Sequence, residues 1–242
     1  MTKMVLFKNY KTNIFLICLL FFIISAFFYN AGNFFFFRLM RSLVGFSLLL
    51  FLVFMLKKKV PLVVFSFLML YNLSSLATVK YEIPFYAILS MFLNLFAFLV
   101  LTIHLLPKVS FKKMNTYFIL SFILMVVLNG YLTIQFVNMF RGFSVNETHS
   151  VVIVVIPIVL VFTIFLAFLY NHKVNSNASM AFLCFVIIIT FSGTFRAIAY
   201  YEMIESNLSV YIERLLLVIG LGVITHYAFI YKKEDTNLKL EE

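Results

Sequence analysis

The sequence predicts an all-α integral membrane protein, a bundle of eight transmembrane helices with both termini in the cytoplasm. The first observation is composition: the 242 residues are 64% hydrophobic, with a mean hydropathy of +1.08, whereas soluble domains are about 45–50% apolar. The second is that the apolar residues form eight runs, each near the roughly 20 residues that a helix needs to cross a bilayer. The third is that the lysines fall almost entirely at alternate ends of these runs.

The predicted spans have short connections that leave no room for a soluble domain. In order they are 12–29, 39–56, 60–79, 84–106, 115–138, 150–170, 180–200 and 208–231. Pro61 and Pro84 stand at predicted helix starts, where a missing amide hydrogen costs little. Strands are not predicted, because membrane β-strands of about ten residues alternate in polarity. We therefore predict one membrane domain over residues 1–231, followed by a charged, frayed cytoplasmic tail over 232–242.

The first run follows Lys3, Lys8 and Lys11 and so resembles a secretion signal. It is longer than the apolar part of a signal peptide, and no small-x-small cleavage site follows it. These two features favour an uncleaved first helix.

Lysine positions predict the orientation. With the N-terminus inside, thirteen of the fourteen lysines lie at inner ends of the segments and only Lys80 lies outside. Because cytoplasmic loops are enriched in basic residues, this pattern places both termini in the cytoplasm. It also accounts for the net charge of +10 without nucleic-acid binding. Richness in phenylalanine and lysine hints at an AT-rich bacterial genome and hence at the bacterial inner membrane.

Arginines follow the opposite distribution and mark a candidate site. All five lie at predicted outer ends: Arg38, Arg41, Arg141, Arg196 and Arg214. Charges inside a spanning helix are costly and tend to be functional. Arg196 ends the seventh segment and Glu213 begins the eighth, so the hairpin predicts an ion pair between them. That pair either locks the hairpin or takes part in binding a substrate or lipid headgroup, and the planar guanidinium suits a phosphate. Snorkelling of the charged side chain to the interface is the third interpretation.

Uncharged polar residues occur at the same predicted depth, in the outer half of the third and seventh segments. They include Asn72, Ser75, Ser192 and Gly193. Hydrogen bonds between helices and close packing of small residues explain such positions. A shared cavity open to the outer leaflet is the alternative. Histidines and cysteines lack metal-ligand spacing, and no nucleotide-binding motif occurs, so neither metal nor cofactor is predicted.

Four stretches resemble the YhhN-type lysoplasmalogenases, a family of small eight-helix membrane proteins. SGTFRAIAYY at 192–201 is similar to the family's Ser-Asp-Ser-Leu-Leu-Ala-x-x-x-Phe pattern, and THYAFI at 225–230 to its Ala-Gln-Tyr-Leu-Ile or His-Phe-Leu-Ile ending. Arg-Ser-Leu at 41–43 stands where the family has Lys-Pro-Leu, and Tyr-Asn at 71–72 where it has Gly-Asp. The likeness covers nearly the whole chain in layout.

The resemblance implies hydrolysis of the vinyl ether of lysoplasmalogen, with two intramembrane aspartates as catalytic groups. Asn72 and Gly193 stand at the matching positions, and the only aspartate is Asp235 in the tail. The reaction needs a proton delivered to carbon and a water activated for attack. Glu213 is therefore the candidate catalytic carboxyl, with Asn72 orienting the water. An inactive relative that still binds lysophospholipid is the alternative reading.

The resemblance also suggests a substrate pocket among membrane lipids. Arg41 and Arg214 are predicted to meet the headgroup phosphate, and the pocket is predicted to be lined by Ser75, Ser192, Gly193 and Arg196. Two other functions stay open. One is a carrier for a small polar or anionic molecule or lipid, although no repeat between the two halves is visible. The other is a non-catalytic structural or sensory membrane subunit.

Overall fold

The computed structural model describes residues 9–109, 147–200 and 207–241, together with ten residues between 116 and 135. These described residues contain no strand and include seven helices that are long and apolar enough to cross a membrane. The helices are α1 (Tyr10–Asn30), α2 (Phe34–Leu56), α3 (Leu62–Ala77), α4 (Pro84–Leu105), α5 (Glu147–Val174), α6 (Asn177–Tyr200) and α7 (Asn207–Glu241). The prediction of a helical membrane bundle is confirmed.

The number of spanning helices differs from the predicted eight. The missing one is the segment at 115–138, which lies largely outside the described residues. The ten residues described there, at 116, 119, 120, 123, 124, 127, 130, 131, 134 and 135, are all helical. The predicted sixth, seventh and eighth segments are therefore α5, α6 and α7.

Two helix boundaries differ from prediction. Helix α2 begins at Phe34, five residues before the predicted start at 39, because the Asn33 side chain accepts a hydrogen bond from the Phe36 amide and caps the helix. Helix α7 continues beyond residue 231 to Glu241. The predicted charged tail thus continues the helix over 232–241, where lysine, glutamate and leucine favour helix.

The helices pack as a closed ring in chain order. Each described helix packs against the next one in the chain, and α7 closes the ring against α1 while also contacting α2. Helix α7 approaches α1 closely at Gly222, where an added Cβ would lie 3.2 Å from Cys18 Sγ. Because α7 also packs along α6, the last helix is the one that joins the two sides of the bundle.

Contacts between helix ends divide the bundle into two polar ends. The lysine end holds Lys57, Lys108 and Lys173, and there the Lys173 Nζ donates to the Lys108 carbonyl at 2.9 Å. The arginine end holds Arg38, Arg41, Arg196 and Arg214, where α2 and α7 begin and α3 and α6 finish. Helices joined by a short described connection therefore run in opposite directions, whereas α4 and α5 both finish at the lysine end.

Between these ends lies an apolar core, and the outer surface of the bundle is apolar as well. Phe67, Phe182 and Tyr227 are completely buried. On the outside, Phe54 and Leu62 are 77% and 78% exposed. Apolar surface on this scale would be a liability in water, whereas in a bilayer it faces lipid.

A groove of about 580 Å³ opens at the lysine end, lined by Val53, Phe54, Lys57, Val60, Leu62 and Phe65. Buried Leu48 and Leu52 of α2 lie between this groove and the polar residues of the arginine end. The groove is therefore not the predicted site.

Candidate functional site

Arg41 is the centre of a buried polar cluster at the arginine end. It lies about two turns into α2 and is 4% exposed. Its Nη1 donates to Glu213 Oε1 at 2.8 Å, its Nη2 to the Tyr71 hydroxyl at 2.9 Å, and its Nε to Ser75 Oγ at 3.3 Å. Each of the three guanidinium nitrogens thus has a partner, and this one side chain joins α2 to α3 and α7.

Glu213 lies between two arginines. Its Oε1 accepts from Arg41, and its Oε2 lies 3.7 Å from Arg214 Nε. Its backbone carbonyl accepts a hydrogen bond from Ser192 Oγ at 3.1 Å, which attaches α6 to α7 at this level. Both carboxylate oxygens are therefore directed at guanidinium groups.

Arg214 is as deeply buried as Arg41 but less completely satisfied. Its Nη2 donates to the Phe37 carbonyl at 3.3 Å, and its guanidinium lies over the Phe37 ring at 4.1 Å from the centroid. Its Nη1 and Nε have no hydrogen-bond partner among the described residues. Buried donors are usually satisfied, so Arg214 has unused donor capacity: Nη1 lacks a described partner, and Nε has only Glu213 Oε2 at 3.7 Å.

Arg196 completes the cluster from α6. It is partly exposed and close enough to interact electrostatically with Arg41, Glu213, Tyr71 and Tyr81. The predicted Arg196–Glu213 ion pair is wrong: the ion pairs of Glu213 are with Arg41 and Arg214. The reason is that α2 packs against the start of α7 and brings Arg41 closer to the carboxylate than the hairpin partner.

The formal charge of this cluster is unbalanced. Among the described residues it contains three guanidinium groups, of Arg41, Arg196 and Arg214, and one carboxylate, of Glu213. The excess is two positive charges. A buried charge without a counter-charge is unfavourable by several kcal/mol, so the cluster is suited to holding an anion.

Asn72 lies one helical turn deeper than Ser75 on α3 and is completely buried. Its carbonyl accepts a hydrogen bond from Ser42 Oγ at 3.1 Å. Its side-chain amide lies against Gly45, where an added Cβ would be 1.7 Å from Asn72 Oδ1. Neither amide atom has a hydrogen-bond partner among the described residues. Asn72 and Glu213, the two predicted catalytic residues, are thus not hydrogen-bonded to each other.

Gly193 lies next to Ser192 but is not packed into the cluster. No described atom lies within 4 Å of the position that its Cβ would occupy. Three residues further along α6, Arg196 lies on nearly the same face of the helix. Among the described residues, the space beside Gly193 is therefore open, one turn deeper than the partly exposed arginine.

Closer to the end of the bundle, Arg38 forms an ion pair with Glu82, which follows α3. The hydrogen bond from Arg38 lowers the pKa of the Glu82 carboxyl, although partial burial acts in the opposite direction. Burial raises the pKa of the nearby Tyr81 hydroxyl, and Arg196 opposes that rise. These contacts surround the buried cluster with further polar groups.

Sequence reasoning missed Tyr71 and Phe37, which hold the two buried arginines. Tyr71 is one residue from Asn72, and an aromatic hydroxyl beside an intramembrane asparagine was the available signal. For Phe37 there was none, because its contribution is a backbone carbonyl and a ring face. Arg141 lies outside the described residues.

Comparison with known proteins adds no relative. The chain matches no protein-family model, and searches of curated proteins and of solved structures found no significant match. The functional argument therefore depends on the geometry of the arginine end.

Proposed function

We propose that the protein binds a lysophospholipid within the membrane and holds its headgroup phosphate with Arg41, Arg196 and Arg214. The observation that carries this proposal is the excess, among the described residues of the buried cluster, of three guanidinium groups over one carboxylate. An anion would supply the missing counter-charge. Phosphate suits the site because its oxygens accept two parallel hydrogen bonds from a guanidinium.

A lipid source for the phosphate is favoured by where the cluster lies. Arg41 and Glu213 are about two turns inside their helices, and the outer surfaces of those helices are apolar. Arg196 is reachable, and the open space beside Gly193 lies one turn deeper. A single acyl chain can run through this space while the headgroup meets the arginines.

The orientation that goes with this function is an eight-helix bundle with both termini in the cytoplasm of a bacterial cell. The segment at 115–138 supplies the eighth crossing, and residues 232–242 lie on the cytoplasmic side. Positive-inside asymmetry supports placing the lysine end in the cytoplasm. The arginine end then lies in the outer leaflet of the inner membrane.

Binding without efficient hydrolysis fits the cluster better than lysoplasmalogenase turnover. The resemblance to YhhN-type lysoplasmalogenases supports a lysophospholipid ligand. However, both oxygens of Glu213 are directed at arginines, and Asn72 does not titrate. Proton delivery to a vinyl ether carbon needs a positioned general acid, and the carboxylate of the described cluster is held by arginines instead.

The test is a binding assay on the purified full chain in detergent micelles. Native mass spectrometry with 1-oleoyl lysophospholipids should show saturable binding, weakened by about tenfold or more in Arg196→Gln, since one charge-assisted contact is lost. Arg38→Gln, which alters an arginine outside the cluster, is the matched control and should bind as wild type does. Absence of saturable binding to any lysophospholipid would overturn the proposal.

Hydrolysis is measured in parallel with lysoplasmenyl lipid as substrate. We expect no release of fatty aldehyde above the level seen without protein. Release by the wild type that disappears in Glu213→Gln would show that the chain is a hydrolase after all.

A further inference from the structure

The charge of the arginine cluster determines which lipid headgroup it binds best. This inference rests on the proposed function. Family resemblance points to lysoplasmalogens, whose common headgroups carry an ammonium group. A zwitterionic phosphodiester headgroup has no net charge and would leave the excess of two positive charges uncompensated. A phosphate monoester supplies nearly two negative charges at neutral pH.

An ammonium group would find no free carboxylate among the described residues of the cluster. Both oxygens of Glu213 are directed at Arg41 and Arg214. Glu82, the described carboxylate nearest in sequence to the cluster's α3 residues, is paired with Arg38. A second positive group placed here would face three guanidinium groups at short range, which is unfavourable at the low dielectric of a membrane interior.

Aromatic faces, the other common partners of ammonium groups, are also occupied. The Arg214 guanidinium covers the Phe37 ring at 4.1 Å, and the Arg41 guanidinium lies 5.8 Å from the centre of the Tyr71 ring. The site therefore offers guanidinium groups to a ligand, whereas the Glu213 carboxylate and the rings of Phe37 and Tyr71 already contact arginines.

Free donors point to the same headgroup. Arg214 Nη1 and Nε are buried without a hydrogen-bond partner among the described residues, and Arg196 is partly exposed. A phosphate monoester has three terminal oxygens to accept from such donors, whereas a diester has two. Each additional charge-assisted hydrogen bond strengthens binding.

We infer that the site selects single-chain lipids whose headgroup is a phosphate monoester, of the lysophosphatidic acid type, over lysophospholipids with ethanolamine or choline headgroups. Arg196, which is partly exposed, and Arg214, whose Nη1 lacks a described partner, take the phosphate. The chain occupies the open space beside Gly193.

Matched probes test this inference on the full chain in detergent micelles. They are 1-oleoyl-lysophosphatidic acid, 1-oleoyl-lysophosphatidylethanolamine with the same chain, and glycerol 3-phosphate with no chain. We expect the phosphatidic form to bind about tenfold tighter than the ethanolamine form, because the monoester adds a charge and removes a repelled one. Glycerol 3-phosphate should bind more weakly than either lipid.

Two variants test whether Arg196 determines the preference for a phosphate monoester and whether Gly193 adjoins the lipid chain. Arg196→Gln removes one positive charge from a partly exposed position and should reduce the preference to within about threefold. Gly193→Leu fills the open space and should weaken binding of the lipids but not binding of glycerol 3-phosphate. Arg38→Gln is the control for charge outside the cluster, and gel filtration of each variant verifies the fold.

The outcomes separate the two proposals. Equal binding of both lysolipids, or preference for the ethanolamine form, overturns this inference and leaves lysophospholipid binding standing. Binding of glycerol 3-phosphate as tightly as the lipids overturns the lipid function and assigns the arginines to a soluble phosphate. Binding of none of the three probes overturns both.

Discussion

The guanidinium of Arg41 and the carboxylate of Glu213 form a buried ion pair of 2.8 Å between residues 172 positions apart in the chain. Each side chain is 5% exposed. The pair joins α2 to α7 in a part of the bundle where water does not solvate either charge. Each charge therefore depends on its protein partners for compensation.

Removing either partner should destabilise the bundle, and the two losses should differ. Glu213→Gln leaves the three arginines of the cluster without a described carboxylate and should cost about 3–5 kcal/mol. Arg41→Gln should cost less, because Arg214 still compensates Glu213 and the charge excess falls. Equilibrium unfolding of both variants in the same detergent measures the difference.

Arg38→Gln is the control for this comparison, since Arg38 and Glu82 form a more exposed ion pair. Exposed pairs are typically worth less than about 1 kcal/mol. A loss in Glu213→Gln no greater than that in Arg38→Gln would be incompatible with a buried, uncompensated cluster.

Alanine at two helical glycines should have opposite effects. At Gly45 the new Cβ would lie 1.7 Å from Asn72 Oδ1, so the amide has to move and overpacking should cost about 1–3 kcal/mol. At Gly193 no described atom lies within 4 Å of the new Cβ. There, better helix propensity should stabilise the fold by about 0.5–1 kcal/mol.

The double variant Gly45→Ala, Asn72→Ala isolates the cause of the first effect. Asn72→Ala removes the amide that occupies the position of the new methyl group and that has no hydrogen-bond partner among the described residues. The double variant should recover most of the loss. If it is as unstable as Gly45→Ala alone, the clash with Asn72 is not the cause.

Because Glu82 is paired with Arg38, we expect the folded protein to lose a small amount of stability in acid. The hydrogen bond from Arg38 holds the pKa of Glu82 below its ordinary value. A carboxyl with a lowered pKa in the folded state contributes stability above its unfolded pKa and loses it as the pH falls through the folded pKa. The stability difference between wild type and Arg38→Gln should therefore shrink between about pH 7 and pH 3. A difference that stays constant over this range would exclude the linkage.

Orientation in the membrane can be tested by cysteine labelling in intact cells. In a Cys18→Ala, Cys184→Ala background, a single cysteine replaces Lys80 at the arginine end or Lys59 at the lysine end, both exposed. A membrane-impermeant maleimide should label Lys80→Cys in intact cells and Lys59→Cys only after permeabilisation. The reverse pattern would place the arginine end in the cytoplasm.

Helix positions were accessible from the sequence because each helix is specified locally. Apolar runs of about 20 residues predicted α1, α3 and α4 to within a few residues. The early start of α2 at Phe34 was missed because four phenylalanines carry no helix signal of their own, and the cap at Asn33 acts through one side-chain hydrogen bond.

Partners within the candidate site were not accessible in the same way. Adjacency in the chain predicted an Arg196–Glu213 pair, since α6 and α7 are neighbours. The actual partner, Arg41, reaches Glu213 because α2 and α7 pack across the bundle. Sequence spacing carries no information on that contact. Sequence position indicates how deep a residue lies in the membrane but not which way its side chain faces. Asn72 and Glu213 were therefore assigned to one catalytic site, although they are not hydrogen-bonded to each other.

The position of Glu213 in the last helix has a consequence for biosynthesis. At translation rates of about 5–20 residues per second, roughly 10–30 seconds pass between synthesis of Arg41 and of its carboxylate partner. During this interval α2 carries an intramembrane cation without its main counter-charge. A chain that stops before α7 lacks Glu213 and therefore keeps the uncompensated arginine in α2.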